Sequence, residues 1–291
     1  MKAPSAPIVA GVDGSASALT AVTWAARESA RHRVPLRLVH SYVLPTRGYP
    51  QIIITGNEIR QAMENIGREK LAEAAAAARA AAPGVEVVTE IVCGGSTPAL
   101  VEESKTARLV VVGSQGLGTV TGMIVGSTAL ALAAHGKSPV VVVRGTEVPG
   151  GPVVVGVDGS PTSEAALAFA FETASLRGAR LTAVLCWQDL LVESAYAAVP
   201  FAVDWAAVEA DERRLLAQRL AGWQDKYPDV EVEQLVLRDR PVRAMMRLGA
   251  EAQLVVVGSR GHGGFTGMLL GSTSQALVYN APCPLAIVRP E

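Results

Sequence analysis

The sequence is poor in aromatic residues and in the residue types that build metal sites or disulfide frameworks. Phe, Trp and Tyr make up 4% of the 291 residues, with 3 Cys and 4 His. The core must therefore be packed mainly by Ala, Val and Leu. The widely separated Cys93, Cys186 and Cys283 have apolar or small neighbours, which predicts buried thiols in a reducing compartment. The histidines form no metal-spaced cluster with them, so we expect no metal site.

Long apolar runs and an excess of charge of either sign are also missing. No run approaches the roughly 18 apolar residues of a membrane span, and the first apolar run is too short for a signal peptide. The net charge is −1, and neither half has the basic excess of a nucleic-acid binder. We therefore expect a soluble, cytoplasmic protein that binds neither nucleic acid nor a membrane.

An internal repeat organises the chain. The string Gly-Val-Asp-Gly-Ser occurs at 11–15 and at 156–160, an offset of 145, which is almost half the length. Halves of this size are near the commonest domain size. The Gly- and Pro-rich segment 145–152 is the natural linker between them. We predict two copies of one domain, 1–145 and 146–291.

Each half alternates short Val-, Ile- and Leu-rich runs with longer Ala-rich stretches of helical periodicity, which indicates βαβ units and a parallel sheet. The predicted strands are 8–12, 36–41, 85–92, 108–113 and 139–144, then 152–157, 181–186, 230–237, 253–258 and 284–289. Ser15 and Ser160 are expected to cap the helices after the first strands, with Pro161 at a first helical position.

The longest helices are predicted at about 57–82 and 202–226. The stretches before them, 43–56 and 188–201, do not align between the halves, so we expect loops there.

A glycine-rich turn follows the fourth strand of each half. It contains Gly113 and Gly116, followed after nine intervening residues by Gly126 and Ser127, and the second half repeats this spacing from Gly258. Bare backbone N–H groups in such a turn can approach an anion, and the N-terminus of the following helix favours negative charge. The turns therefore predict phosphate-binding loops, although glycines that only make tight turns would give the same pattern.

An aspartate follows the first strand of each half, Asp13 and Asp158. If strands one and four are neighbours, each aspartate lies beside a glycine-rich loop, in the crevice where open α/β sheets bind ligands. A carboxylate there can accept hydrogen bonds from ribose hydroxyls while the loop holds phosphates. The alternative is that each aspartate is only a turn or cap residue.

Other phosphate and catalytic motifs do not fit. The first strand is not followed by the Gly-x-Gly-x-x-Gly spacing of a dinucleotide site, and Thr121 stands where a later Gly116-Leu-Gly118 would need glycine. Gly136-Lys-Ser138 resembles the end of a Walker A loop but leads into a strand. No Gly-x-Ser-x-Gly elbow supports a hydrolytic triad.

The two copies of Gly-x-x-Gly-(nine residues)-Gly-Ser, each with an upstream Gly-Val-Asp-Gly-Ser, resemble the ATP-binding class of the universal stress protein family, in the tandem form common in actinobacteria. The resemblance covers nearly the whole chain, and segments 138–144 and 283–289 also match the family's last strand. It implies an α/β, Rossmann-like fold in each half: an open five-stranded parallel sheet of order 3-2-1-4-5 with helices on both faces.

The resemblance implies that ATP binds in both halves and could bring Mg²⁺ with its phosphates. The aspartates would sit by the ribose, the loops would hold the ribose and phosphates, and backbone groups at Ser41 and Cys186 would hold adenine. No catalytic residue is predicted. The candidate nucleotide-binding residues are Gly11, Asp13, Gly113, Ser114, Gln115, Gly116, Leu117, Gly118, Thr119, Gly126, Ser127 and Thr128, and Gly156, Asp158, Gly258, Ser259, Arg260, Gly261, His262, Gly263, Gly264, Gly271, Ser272 and Thr273.

The copies differ within the loop. Arg260 and His262 stand where the first half has Gln115 and Leu117. A guanidinium could reach a polyphosphate, which predicts tighter, more salt-sensitive ATP binding in the second half. The alternative is that Arg260 simply points into solvent.

By resemblance, the expected function is nucleotide-dependent regulation in stress response, dormancy or growth control. The halves would pair within the chain through their last strands, and a further homodimer is also considered. One alternative is a slow ATPase or phosphotransferase using the same pockets, although the loops offer few groups for such chemistry. Another is a partner-binding scaffold with vestigial nucleotide sites, in which aromatics in or beside the unaligned stretches bind a partner. These are Tyr42, Tyr49, Trp187, Tyr196, Phe201 and Trp205.

Overall fold

The computed structural model describes residues 5–44, 56–116, 125–187, 204–261 and 269–290. The chain divides into two compact units, the first ending at Val143 and the second comprising Arg144–Pro290. The domain limits 1–145 and 146–291 inferred from the repeat stay a prediction. None of the helices in the described ranges is long and apolar enough to cross a membrane.

The first unit is a parallel sheet of strand order β3-β2-β1-β4-β5. Because crossovers between parallel strands are right-handed, the helices that lead toward β3 and those that lead toward β5 cover opposite faces. Accordingly, α1 packs on α2 and α3 packs on α4. The elements are β1 (Ile8–Gly11), α1 (Ala16–His32), β2 (Leu36–Tyr42), α2 (Gly56–Ala81), β3 (Val87–Cys93), α3 (Ser96–Glu103), β4 (Leu109–Gly113), α4 (Ser127–His135) and β5 (Val140–Val143).

The second unit repeats this arrangement with strand order β10-β9-β6-β7-β8. The fold class predicted from the sequence is confirmed. The elements are β6 (Val153–Val157), α5 (Pro161–Arg177), β7 (Leu181–Cys186), α6 (Trp205–Lys226), β8 (Val232–Leu237), α7 (Pro241–Gly249), β9 (Leu254–Gly258), α8 (Ser272–Asn280) and β10 (Leu285–Val288).

Strand register brings the first and fourth strands of each unit side by side. Ala10 of β1 pairs with Val111 of β4, and Val155 of β6 pairs with Val256 of β9. The residues that follow these strands therefore meet at one edge of each sheet.

Aliphatic side chains fill the core of the described residues. Strands β4, β5, β9 and β10 are buried over nearly their whole length, as expected for parallel strands covered on both faces. The largest fully buried side chains are mostly leucines, and they include one aromatic, Phe171. Aliphatic packing thus replaces aromatic packing, as the composition indicates.

Both predicted helix caps are present. The Ser15 hydroxyl accepts a hydrogen bond from the Ala18 N–H at 3.1 Å, and the Ser160 hydroxyl accepts one from the Ser163 N–H at 3.2 Å. Pro161 lies in the first turn of α5. These bonds fix where α1 and α5 begin, and hence the geometry of the turns just before them.

The predicted linker packs against the second unit. The Thr146 N–H donates to the Pro282 carbonyl at 2.8 Å, and the Val148 N–H donates to the Ala252 carbonyl at 3.2 Å. The Glu147 carboxylate accepts a hydrogen bond at 2.8 Å from the buried Arg177 guanidinium. These contacts explain why the second compact unit begins before β6.

One prediction about the cysteines is wrong. All three are free, but only Cys283 is buried; Cys186 is partly buried and Cys93 is exposed. Cys93 ends β3, which is an edge strand with several exposed residues. Its apolar neighbours in sequence therefore do not enclose it.

Candidate functional site

The crevice of the first unit is built around Asp13. Its Oδ1 accepts a hydrogen bond from the Ser15 N–H at 2.8 Å, which holds the turn between β1 and α1. The Cα of Gly116 faces the other carboxylate oxygen, because a Cβ on Gly116 would lie 2.8 Å from Asp13 Oδ2. The structure therefore brings together the two sequence features expected to form a site.

The second unit has the same arrangement around Asp158. Its Oδ1 accepts hydrogen bonds from the Ser160 N–H at 3.0 Å and the Ser160 hydroxyl at 2.6 Å. A Cβ on Gly261 would overlap Asp158 Oδ2. In both units, only a glycine lets the loop backbone come this close to the carboxylate.

A hydroxyl residue near the start of the first helix fastens each loop. Ser17 Oγ accepts a hydrogen bond from the Gln115 N–H at 3.3 Å, and Thr162 Oγ1 donates to the Arg260 carbonyl. Sequence reasoning missed both residues. The signal was there, since Ser17 and Thr162 are related by the same offset of 145 and both carry a hydroxyl.

The first glycine of each loop makes room for that hydroxyl residue. A Cβ on Gly113 would lie 2.5 Å from Ser17 Oγ and 2.7 Å from the Ser17 carbonyl carbon. A Cβ on Gly258 would lie 2.7 Å from Thr162 Oγ1. These glycines therefore set the contact between the loop and the helix.

The far end of each loop leads into a helix N-terminus. The Gly126 N–H donates to the Ser114 carbonyl and the Gly271 N–H to the Ser259 carbonyl, both at 2.8 Å. These glycines precede α4 and α8, and within the described residues neither helix has a side-chain cap. The first N–H groups, at Ser127 and Ser272, are thus available to an anion.

The hydroxyls next to α4 differ between the units. Thr128 Oγ1 lies 3.0 Å from Ser96 Oγ and 3.4 Å from Thr97 Oγ1. In the second unit, Thr273 occupies the position of Thr128, but Pro241 and Val242 replace the other two residues.

Some candidate residues are placed elsewhere or lie outside the described residues. A Cβ on Gly11 would lie 2.9 Å from Leu100 Cδ1, and one on Gly156 would lie 3.6 Å from Met245 Cε. Gly11 therefore lets α3 pack closely on the sheet, whereas a Cβ on Gly156 would make only an ordinary contact with α7. The candidates outside the described residues are Leu117, Gly118, Thr119, His262, Gly263 and Gly264.

The second strands end in different surroundings. In the first unit, Ser41 precedes Tyr42, whose hydroxyl donates to Glu64 Oε1 at 3.3 Å. In the second, burial raises the pKa of the Cys186 thiol to about 11. The next residue, Trp187, has its ring centroid 5.7 Å from that of Trp205. Aromatic surface thus adjoins the end of β7 as it adjoins the end of β2.

The model of the universal stress protein family matches residues 5–144 and 151–289. The chain belongs to the universal stress protein family. Universal stress protein Rv2005c of Mycobacterium tuberculosis is 40% identical over 294 residues, covering 97% of this chain and 96% of the relative. A universal stress protein of Mycolicibacterium smegmatis is 39% identical over 289 residues, covering 97% of each chain.

A solved structure shows that the fold is shared. The crystal structure of a universal stress protein from Archaeoglobus fulgidus DSM 4304 matches 98% of this chain and 97% of that chain, with a TM-score of 0.71 at 19% identity.

The loops of this tandem universal stress protein differ in charge. Arg260 is exposed on the second loop. Burial, and then the positive charge of Arg260, lower the pKa of the Arg289 guanidinium, which also donates to the Leu269 carbonyl at 2.6 Å. Because Arg144 stands at the position of Arg289 in the first unit, the difference in charge between the loops lies at Arg260, where the first loop has the uncharged Gln115.

Proposed function

We propose that this chain is an ATP-binding regulator of stress response or growth control, with one nucleotide site in each unit. The observation that carries the proposal is the paired geometry of Asp13 with Gly116 and Asp158 with Gly261. An ionised carboxylate has several acceptor sites, so it can hold its turn and still accept hydrogen bonds from ribose hydroxyls. The same crevice then offers loop N–H groups to the phosphates.

Each part of the nucleotide has a proposed place. The phosphates bind the glycine-rich loops and the N-termini of α4 and α8, where backbone N–H groups and the helix dipole favour negative charge. Adenine lies at the ends of β2 and β7, held by backbone groups of Ser41 and Cys186. Any Mg²⁺ would come with the phosphates, which supply oxygen ligands of the kind it prefers.

Contacts from the loops to the last strands support a regulatory role. The Ser114 N–H donates to the Val143 carbonyl at 3.2 Å, and the Ser259 N–H donates to the Val288 carbonyl at 2.7 Å. A loop that closes on phosphate would pull on the end of β5 or β10. Pairing of the halves through these strands, and a homodimer, stay predictions.

Identifying the nucleotide that the denatured protein releases is a direct test of the proposal. The purified protein is denatured, and the released nucleotide is identified and counted by chromatography, with ATP titration of the nucleotide-free protein alongside. We expect ATP at close to two per chain. ADP in its place would instead favour the slow ATPase. Absence of any nucleotide, together with no heat of ATP binding, would overturn the proposal.

A further inference from the structure

A lysine outside the glycine-rich motif lies at the first crevice. Lys70 is on α2, and its Cγ, Cδ and Cε lie 3.3, 3.1 and 2.9 Å from where a Cβ on Gly14 would stand. Gly14 joins Asp13 to Ser15 and has a φ of +89°. The lysine stem therefore crosses the turn that carries the site aspartate, and the ammonium is one bond beyond Cε.

No residue that the structure describes pairs with the charge of Lys70. Within the described residues, Lys70 makes neither an ion pair nor a side-chain hydrogen bond, and it is partly exposed. Its stem packs against the Gly14 backbone while the ammonium keeps its solvent, as is usual for lysines at the edge of a packed surface. A cation held in this way is ready to meet an anion at low entropic cost.

The turn beneath Lys70 touches the phosphate loop. The Ser15 hydroxyl donates to the Gln115 carbonyl at 3.4 Å, and the Gln115 N–H donates to Ser17 Oγ at 3.3 Å. The Lys70 stem thus packs on the aspartate turn, and that turn meets the glycine-rich loop at a junction. That junction is where the ribose and the first phosphates are proposed to meet.

The positively charged side chain stands at a different position in each unit. Leu71 and Leu216 are both buried and are related by the offset of 145, which places Leu215 at the position of Lys70. Gln115 stands at the position of Arg260. The first unit therefore has its cation on the helix and a neutral loop residue, whereas the second has a neutral helix residue and its cation on the loop.

We propose that Lys70 is a nucleotide-binding residue of the first site, and that its ammonium contacts the phosphates there, the role expected of Arg260 in the second site. The assignment rests on the proposed nucleotide site and adds a residue from α2 to it. The ammonium is a compact charge on a flexible stem, and the guanidinium is a planar fork suited to bidentate contacts. The two sites then hold phosphate by different chemistry.

The variant Lys70→Met removes the charge and keeps a stem of similar length over Gly14. In a calorimetric titration of nucleotide-free, full-length K70M, the ATP affinity of one of the two classes of site should be about tenfold lower than in the unmodified protein. That class should also lose part of its salt dependence, because an ion contact is screened by salt. Adenosine, which has no phosphate, should bind K70M and the unmodified protein equally.

Two further variants control for packing. Leu215→Met changes the equivalent position without changing charge and should leave both classes unchanged, whereas Lys70→Arg should keep most of the ATP affinity. Unchanged ATP binding in K70M would overturn the role of Lys70 while leaving the nucleotide sites intact. Equal weakening of ATP and adenosine would also overturn it, since that pattern indicates lost packing. No ATP binding by the unmodified protein would instead overturn the proposed function.

Discussion

Single atoms decide how closely the glycine-rich loops approach the aspartates of the candidate sites. The absence of a Cβ at Gly116 and Gly261 lets each loop backbone meet a carboxylate oxygen of Asp13 or Asp158. The sequence predicted that these residues would be near one another, since strands one and four were expected to be neighbours. The distance of approach depends on how α1 and α5 pack, which no local pattern contains.

At the same scale, Arg260 is expected to make the second site tighter and more sensitive to salt. Replacing it in Arg260→Gln gives the second loop the residue found in the first. We expect ATP binding at one class of site to weaken about tenfold because a charge-assisted contact is lost. The unliganded protein should unfold at the same temperature or higher, because Arg289 loses a repulsive neighbour.

Calorimetry over a range of salt concentrations measures both effects. Gln115→Arg is the matched control, and it should strengthen the other class of site. If the two sites have equal ATP affinities when each is silenced in turn, Arg260 points into solvent and the expectation is wrong.

At the scale of elements, strand positions were well predicted in the centre of each sheet and less well at its edges. Strands β3 and β8 begin at Val87 and Val232, two residues later than predicted. Both are edge strands of their units, with half-exposed residues along much of their length. An apolar run marks a strand clearly only when both faces and both neighbours bury it.

The burial of the Cys186 and Cys283 thiols predicts that they react slowly. Burial raises the pKa of Cys186 to about 11 and of Cys283 to about 12. Because the thiolate is the reactive form, both should resist alkylation at pH 8. We expect native protein to label at exposed Cys93 alone and unfolded protein to label at all three, as read by mass spectrometry.

The same shifts predict an alkaline loss of stability. A raised folded pKa means that the folded state keeps these protons when the unfolded chain has lost them. Stability is then fully present below about pH 8.5, the pKa of an unperturbed thiol, and falls as pH rises toward 11 to 12. Cys283→Ser should flatten this fall in a urea titration. Labelling of all three thiols in native protein would contradict both expectations.

At the scale of the whole molecule, the duplication predicts two independent nucleotide sites. Asp13→Asn and Asp158→Asn keep an oxygen to accept the turn hydrogen bond while removing the charge that favours the ribose hydroxyls. Each variant should lose about tenfold or more in affinity at one site, leaving one tight ATP per chain. The double variant should retain no tight ATP site.

Asp211→Asn is the matched control, because Asp211 is exposed on α6 and pairs with Arg214. It should bind two ATP like the unmodified protein. If neither Asp13→Asn nor Asp158→Asn weakens ATP binding, the site assignment is wrong and the scaffold alternative gains support.

The sequence by itself determined the fold class, the caps at Ser15 and Ser160 and the placing of the glycine-rich loops. These follow from apolar periodicity, turn chemistry and an exact repeat, which are properties of short segments. Only the tertiary structure decided that Ser17 fastens a loop 98 residues away, that Lys70 crosses Gly14, and that Cys93 is exposed. Those outcomes depend on how helices pack on a sheet and where the sheet ends, and such contacts between distant segments leave no local pattern.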